Sequence, residues 1–224
     1  MKKIAVFCAS SPKVPKIYFD AAREVSASIV KAGYGIIYGG GAVGLMGAVA
    51  DEALKHKGDI TGIIPRFMVD VEWEHKHVEE MIHVETMHKR KELMVQGSAG
   101  ILALPGGTGT LEELFEVMSL KKLGQYPHPI VVLNTNGYYD GLLQMTRKMV
   151  DENFMRPVHN EMWSIVNSPE EVIPAFKNAK PWGRDAIGFA GVSVFPIPQS
   201  AIDQSEGLLE QVPGWDTAIS QFAG

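Results

Sequence analysis

Leu104-Pro105-Gly106-Gly107-Thr108-Gly109-Thr110-Leu111-Glu112-Glu113 passes from strand to loop to helix within ten positions. Ala99 to Leu104 is a short apolar run that the glycines stop. From Thr110 the pattern is helical, with Leu111, Leu114, Phe115 and Met118 on one face. Glycine lets a ligand approach the backbone closely. A helix entered through such a loop presents free amide protons and a partial positive charge, a setting that suits a phosphate. The turn is therefore read as the seat of a nucleotide's phosphate.

Outward from this turn the same alternation recurs. Ile4 to Cys8 reads as a buried strand ended by Ala9-Ser10-Ser11-Pro12, followed by a helix over about Pro15 to Ala32 with Phe19, Ala22, Val25, Ile29 and Val30 inward. Ile36 to Tyr38 is a second strand, and Gly39-Gly40-Gly41-Ala42-Val43-Gly44-Leu45-Met46-Gly47 opens a second helix ending near Lys57. Ile60 to Ile64 is a third strand, stopped by Pro65. Arg66 to His77 is irregular and read as a loop or broken helix. Glu80 to Thr86 is a short strand, Met87 to Gly97 a helix, Ile130 to Leu133 a strand and Tyr139 to Asn153 a helix. Such alternation implies an α/β domain of Rossmann-like, doubly wound type: a mainly parallel sheet with helices on both faces. Ligands of such sheets lie beyond the carboxyl ends of the strands. The loops after Cys8, Tyr38 and Leu104 all fall there, so one shared site is expected. One domain over residues 1–178 accounts for the pattern. Residues 179–224, with a short helix expected over Ala201 to Val212, form an extension of no assigned role.

Composition narrows the function. The chain has 224 residues, 46% of them hydrophobic, enough to bury a full core. A formal charge of −5 argues against a duplex nucleic-acid partner. The apolar run after Met1-Lys2-Lys3 is too brief for a signal peptide or membrane span, so a cytoplasmic protein without a membrane partner is expected. The single cysteine, Cys8, excludes an intrachain disulfide and a cysteine-built zinc site.

Each motif has a bland reading beside the functional one. Gly39-x-Gly41-x-x-Gly44 matches the dinucleotide fingerprint, but Asp59 precedes the next strand instead of ending it. Neither glycine cluster continues as a Walker loop. Thr110-x-x-Glu113 matches a capping box, which would engage Glu113 in helix capping and leave it no chemistry. His88-Lys89-Arg90-Lys91 places cations where they oppose a helix dipole; it is either a solvated patch or a sign of an anionic ligand, with Arg90 gripping a phosphate or a carboxylate. His75, His77, His83 and His88 lie among Glu72, Glu74, Glu79 and Glu80 without a metal-ligand spacing, so no metal is expected. Cys8 reads as a buried small side chain.

Taken together, Pro105-Gly106-Gly107-Thr108-Gly109-Thr110-Leu111-Glu112-Glu113 and Met87-His88-Lys89-Arg90-Lys91 resemble the PGGxGTxxE and MHxRK motifs of the Lonely Guy family, nucleoside 5′-monophosphate phosphoribohydrolases that activate cytokinins and often carry the label "possible lysine decarboxylase". Phe7-Cys8-Ala9-Ser10-Ser11 resembles the family's FCGSS with Ala9 for glycine, and Tyr38 to Gly47 its YGGGxxGLMG. The similarity spans about residues 1–178. It implies a homodimer without cofactor that hydrolyses the N-glycosidic bond of AMP or an N6-modified AMP, releasing free base and ribose 5-phosphate. It implies Arg90 and Glu113 as the catalytic pair, with Gly107, Thr108, Gly109 and Thr110 cradling the phosphate. Lys91, Glu72 and Ser119 fall at substrate-contacting positions, as do Gly106, Leu111 and Glu112 of the same motif and Ser10, Gly40 and Gly41 of the other two loops. Two other classes stay open: a non-catalytic module that senses AMP-like nucleotides, and a pyridoxal-phosphate decarboxylase. The first would be indifferent to Glu113→Gln; the second needs a Schiff-base lysine and a partner for the pyridine nitrogen, for which no lysine context argues.

Overall fold

A computed structural model describes residues 1–69, 73–183 and 186. β1 (Lys3–Phe7), β2 (Gly35–Tyr38), β3 (Ile60–Pro65), β4 (Glu80–Val84), β5 (Ile101–Ala103), β6 (Ile130–Leu133) and β7 (Ser164–Val166) form one seven-stranded sheet in the order β4-β3-β2-β1-β5-β6-β7. Every pairing between these strands is parallel. Strand residues point alternately to the two faces, and each face has its own core. Ile4 and Val6 of β1 pack under α1 (Lys16–Lys31), α2 (Gly44–Lys55) and α6 (Val172–Lys177). Ala5 and Phe7 pack under α3 (Met87–Gln96) and α4 (Thr108–Lys122), a layer that also includes α5 (Asp140–Asp151). A buried Ile or Val side chain contributes roughly 1.5–3 kcal/mol, so the near-continuous apolar runs of β1, β2, β5 and β6 hold the sheet between its helix layers.

The doubly wound, parallel sheet expected from the alternation is the one observed. β1 is its pivot. From β1 the chain winds outward through β2, β3 and β4, then returns to lay β5 on the other side of β1. The loops leaving β1 and β5 therefore part at their carboxyl ends and open a crevice, as at the switch point of other open α/β sheets.

Several expectations are corrected. α4 begins at Thr108, not Thr110, and its N-cap is Gly107 with no side-chain cap. The capping box of Thr110 and Glu113 does not form, because both residues already lie within the helix and the amides of its first turn are left for another acceptor. The buried stripe of α4 is Thr110, Leu114, Val117, Met118 and Lys121, whereas Phe115 is exposed. Pro65 closes β3 from inside the strand; β7 and α6 extend the domain beyond the last helix anticipated. Past α6 the chain stays packed at least to Trp182, whose buried indole N–H donates to the Lys121 carbonyl at 2.7 Å. The helix expected over Ala201 to Val212 lies outside the described residues. Among the described residues no helix is long and apolar enough to cross a membrane.

Candidate active site

Three backbone bonds knit the loops at the crevice. Leu104 N–H donates to the Phe7 carbonyl at 2.9 Å and Ala9 N–H to the Pro105 carbonyl at 3.2 Å, joining the loops after β1 and β5. Leu45 N–H donates to the Ala9 carbonyl at 2.9 Å, which draws in the glycine turn after β2. Gly44 adopts φ +65° there, and a Cβ at this position would stand 2.5 Å from the Ser10 carbonyl oxygen. Only glycine allows so close a crossing of two loops.

The crevice is a cavity of about 370 Å³, within the range of small-molecule sites. Its walls come from Cys8, Ser10 and Ser11 after β1, Gly39 after β2, Met87, Arg90 and Met94 of α3, and Gly107 to Thr110 with Glu112 and Glu113 of α4. Gly107, Thr108 and Gly109 are exposed. The first turn of a 15-residue helix thus faces the cavity with open amides and the positive end of the helix dipole.

Arg90 is 4% exposed and enters from the side. Thr86 caps α3 by accepting from Lys89 N–H at 3.1 Å, so the basic run starts the helix. Arg90 Nε donates to the Ile63 carbonyl at 3.0 Å and Nη2 to the Gly39 carbonyl at 2.6 Å. Two backbone acceptors, one on β3 and one in the turn after β2, fix the guanidinium plane, and its permanent charge faces the cavity that Glu113 also lines. Gly39 is required for this: a Cβ would collide with Nη2 of Arg90 and stand 2.8 Å from Met46 Sδ. The sulfur of Met87 stands 3.8 Å from Nη1 of the same guanidinium.

The remaining residues singled out in the sequence are placed as follows. Ser10, Gly107, Thr108, Gly109, Thr110, Glu112, Arg90 and Glu113 meet at the cavity. Gly106 and Leu111 lie just behind this wall, and Gly106 is buried against Thr110. Gly40 and Gly41 are buried in the turn itself, under residues 73–75: His75 N–H donates to the Gly40 carbonyl at 3.0 Å, and Gly41 bridges Glu74. Lys91 sits beside the cavity and ties α3 to α4, pairing with Glu112 and, at 2.7 Å, with Glu116. Burial would lower the Lys91 ammonium, but the two carboxylates outweigh it and raise its pKa. Ser119 is exposed farther along α4 and donates to its own helix at Phe115. Glu72 lies outside the described residues. Met118 is buried in the core beneath α4, whereas Met46, Met68, Met87 and Met94 line the cavity. Cys8 is almost buried, as read, yet its remaining surface faces the cavity. His75 and His83 pair with Asp51 and Glu74 at 3.1 and 3.2 Å.

Tyr138 and Tyr139 carried no sequence motif. Their hydroxyls donate to the carbonyls of Gly106 and Leu104, at 2.6 and 2.7 Å. The Asn-Gly turn before them was a legible bend, but nothing local indicated that it reaches the glycine loop.

Residues 46–176 match a family model described as "Possible lysine decarboxylase". Cytokinin riboside 5′-monophosphate phosphoribohydrolase LOG5 of Arabidopsis thaliana is 38% identical over 180 residues, covering 80% of this chain and 79% of its own. LOG1 of the same plant is 35% identical over 201 residues, covering 84% and 93%. Among solved structures, the molybdenum cofactor carrier protein of Chlamydomonas reinhardtii superposes with a TM-score of 0.62 at 17% identity, over 80% of this chain and 97% of that one. The molybdenum cofactor binding protein of Rippkaea orientalis gives 0.57 at 21% identity, over 77% and 93%. At such identities these two speak to the fold alone. With glycine loop, buried arginine and glutamate gathered at one switch point, and with relatives matching most of its length, the chain belongs to the Lonely Guy family of cytokinin riboside 5′-monophosphate phosphoribohydrolases, the family that the "possible lysine decarboxylase" model describes.

Proposed function

We propose that the protein hydrolyses the N-glycosidic bond of adenosine 5′-monophosphate or an N6-modified form of it, yielding free base and ribose 5-phosphate. The observation that carries this reading is the open, uncapped first turn of α4 in the same cavity as Arg90 and Glu113. A phosphate on the amides of Gly107 to Thr110 anchors the ribose, and that remote binding energy positions the anomeric carbon. As the C–N bond breaks, positive charge grows on the sugar. Glu113, one turn into the helix, stabilises that charge and takes a proton from the attacking water, whose oxygen bonds to the anomeric carbon as the base leaves with the bonding electron pair and takes up a proton from solvent to become the neutral free base. Arg90, locked by two carbonyls, supplies a fixed positive charge that orients the carboxylate. The relatives named for this activity support the same reaction. We propose a homodimer as the working form, in keeping with the exposed Phe115 on α4 and Leu123 at its C-cap; light scattering showing a monomer at assay concentration would refute it.

Glu113→Gln tests the reaction. Ribose 5-phosphate release is expected to fall by about 10²–10⁴-fold, while the melting temperature and nucleotide binding persist. Wild-type turnover in this variant would overturn the assignment. Assaying a panel of nucleoside monophosphates for free base then identifies the preferred substrate.

A further inference from the structure

We propose that Tyr138 is a positioning residue for phosphate recognition, acting through the peptide between Gly106 and Gly107; this rests on the phosphate reading of the α4 N-terminus. The Tyr138 hydroxyl donates to the Gly106 carbonyl at 2.6 Å, across 32 residues of chain. A trans peptide is planar, with its C=O and N–H antiparallel. Holding the Gly106 oxygen toward Tyr138 therefore turns the Gly107 N–H the opposite way. Gly107 lines the cavity and Tyr138 does not, so that direction is the ligand's.

The anchoring is built with more care than loop closure requires. Tyr139 holds the Leu104 carbonyl at 2.7 Å, so two successive tyrosines pin both ends of Leu104-Pro105-Gly106. The turn that presents them is itself braced. Asn134 Oδ1 accepts from Tyr139 N–H at 2.7 Å, and its Nδ2 donates to Asp140 at 2.9 Å. The Tyr138 ring meets the edges or faces of Tyr18 and Tyr139 at 5.8 and 5.1 Å, which restricts where its hydroxyl points. Yet Tyr138 is 44% exposed. A single hydrogen bond from a residue this exposed contributes only modestly to stability, and its consequence here is the orientation of the carbonyl it holds. Gly107 has no heavy atom within 4 Å of a would-be Cβ. Packing around the Gly107 Cα therefore does not orient this peptide, whereas the Tyr138 hydrogen bond restrains it from behind.

The test is Tyr138→Phe, which keeps the ring contacts and removes the hydroxyl. Calorimetry with ribose 5-phosphate and with adenine separates the phosphate end of the site from the base end; kinetics on the best nucleoside monophosphate of the panel separates KM from kcat. Affinity for ribose 5-phosphate is expected to weaken about five-fold and KM to rise to match, with kcat and adenine affinity unchanged. Wild-type affinity for ribose 5-phosphate in the variant would overturn the proposal and leave the site reading standing. An equal loss for both ligands would also overturn it, since a general loosening of the fold would do the same. Failure of the wild-type protein to bind ribose 5-phosphate would sink the site reading and this proposal with it.

Discussion

Arg90 illustrates how a single side chain depends on a residue far away in sequence. Its guanidinium is immobilised by the carbonyls of Ile63 and Gly39, and the absence of a side chain at Gly39 makes room for it. Gly39→Ala is accordingly expected to push Arg90 off its acceptors. Turnover should fall about 100-fold or more, and stability by about 1–3 kcal/mol, as an overpacked core would show. Near-normal turnover would mean that the arginine's placement is not critical. Lys121 poses a different single-residue question. It is 2% exposed on the buried side of α4, donates to the His128 carbonyl at 2.5 Å, and burial pushes its pKa down to about 7. The nearby His128 imidazole is likewise pushed down, to about 4, by burial first and by the Lys121 charge second. An unfolded lysine holds its proton up to about pH 10.4, so between pH 7 and 10 the unfolded chain binds more protons than the folded one. Stability should therefore rise with pH across that window, with the full penalty present below pH 7. Lys121→Met should flatten the slope in denaturant titrations at pH 7, 8 and 9; an unchanged slope would show that the ammonium is not the cause.

At the scale of the element, α4 serves two ends. Its body buries Leu114, Val117 and Met118 against the sheet, while its first turn is left without a side-chain cap. An uncapped helix start usually costs about 1 kcal/mol, and here it leaves amides for a ligand. Gly107→Ala separates the two roles. Its φ of −80° suits alanine and a Cβ would touch nothing, so the melting temperature should hold, yet the methyl would stand at the mouth of the cavity. KM is expected to rise about ten-fold, corresponding to about 1.4 kcal/mol of lost binding. A variant with unchanged KM would argue that phosphate does not dock there. α3 makes the complementary contribution. Of its basic run, Lys89 stays at the surface paired with Glu92, Lys91 pairs across to α4, and Arg90 turns inward. The run is thus neither wholly a solvated patch nor wholly a ligand cluster, and only the direction each helical position faces separates the cases.

For the molecule as a whole, the winding order concentrates function. Among the described residues, those that line the cavity fall between Val6 and Glu113, though the domain continues through β7 and α6 to Trp182 on the Lys121 carbonyl. A chain ended after Ala186 is expected to keep turnover within about two-fold of the full chain; a large loss would place part of the working site in the residues beyond. The alternation of apolar runs with amphipathic helices, and the glycine loops at the strands' carboxyl ends, sufficed to predict a parallel doubly wound sheet and one shared crevice, because burial periodicity and glycine's tolerance of close approach are local properties. The start of α4 was misplaced because Thr110 and Glu113 satisfy a capping pattern that the preceding glycines override. Phe115 was placed on one face with Leu114 and Met118, yet it is exposed, because periodicity identifies a stripe but not its edges. The pairing of Lys91 with Glu112 and Glu116, the burial of Gly40 and Gly41 away from the cavity, the methionines lining the cavity and the tyrosines behind Gly106 all join segments dozens of residues apart. Local patterning could therefore decide which segments become strands, helices and phosphate-binding loops. Which side chains meet in the crevice depended on packing across the sheet, since hydrogen bonds and steric fit between distant residues leave no period in the chain.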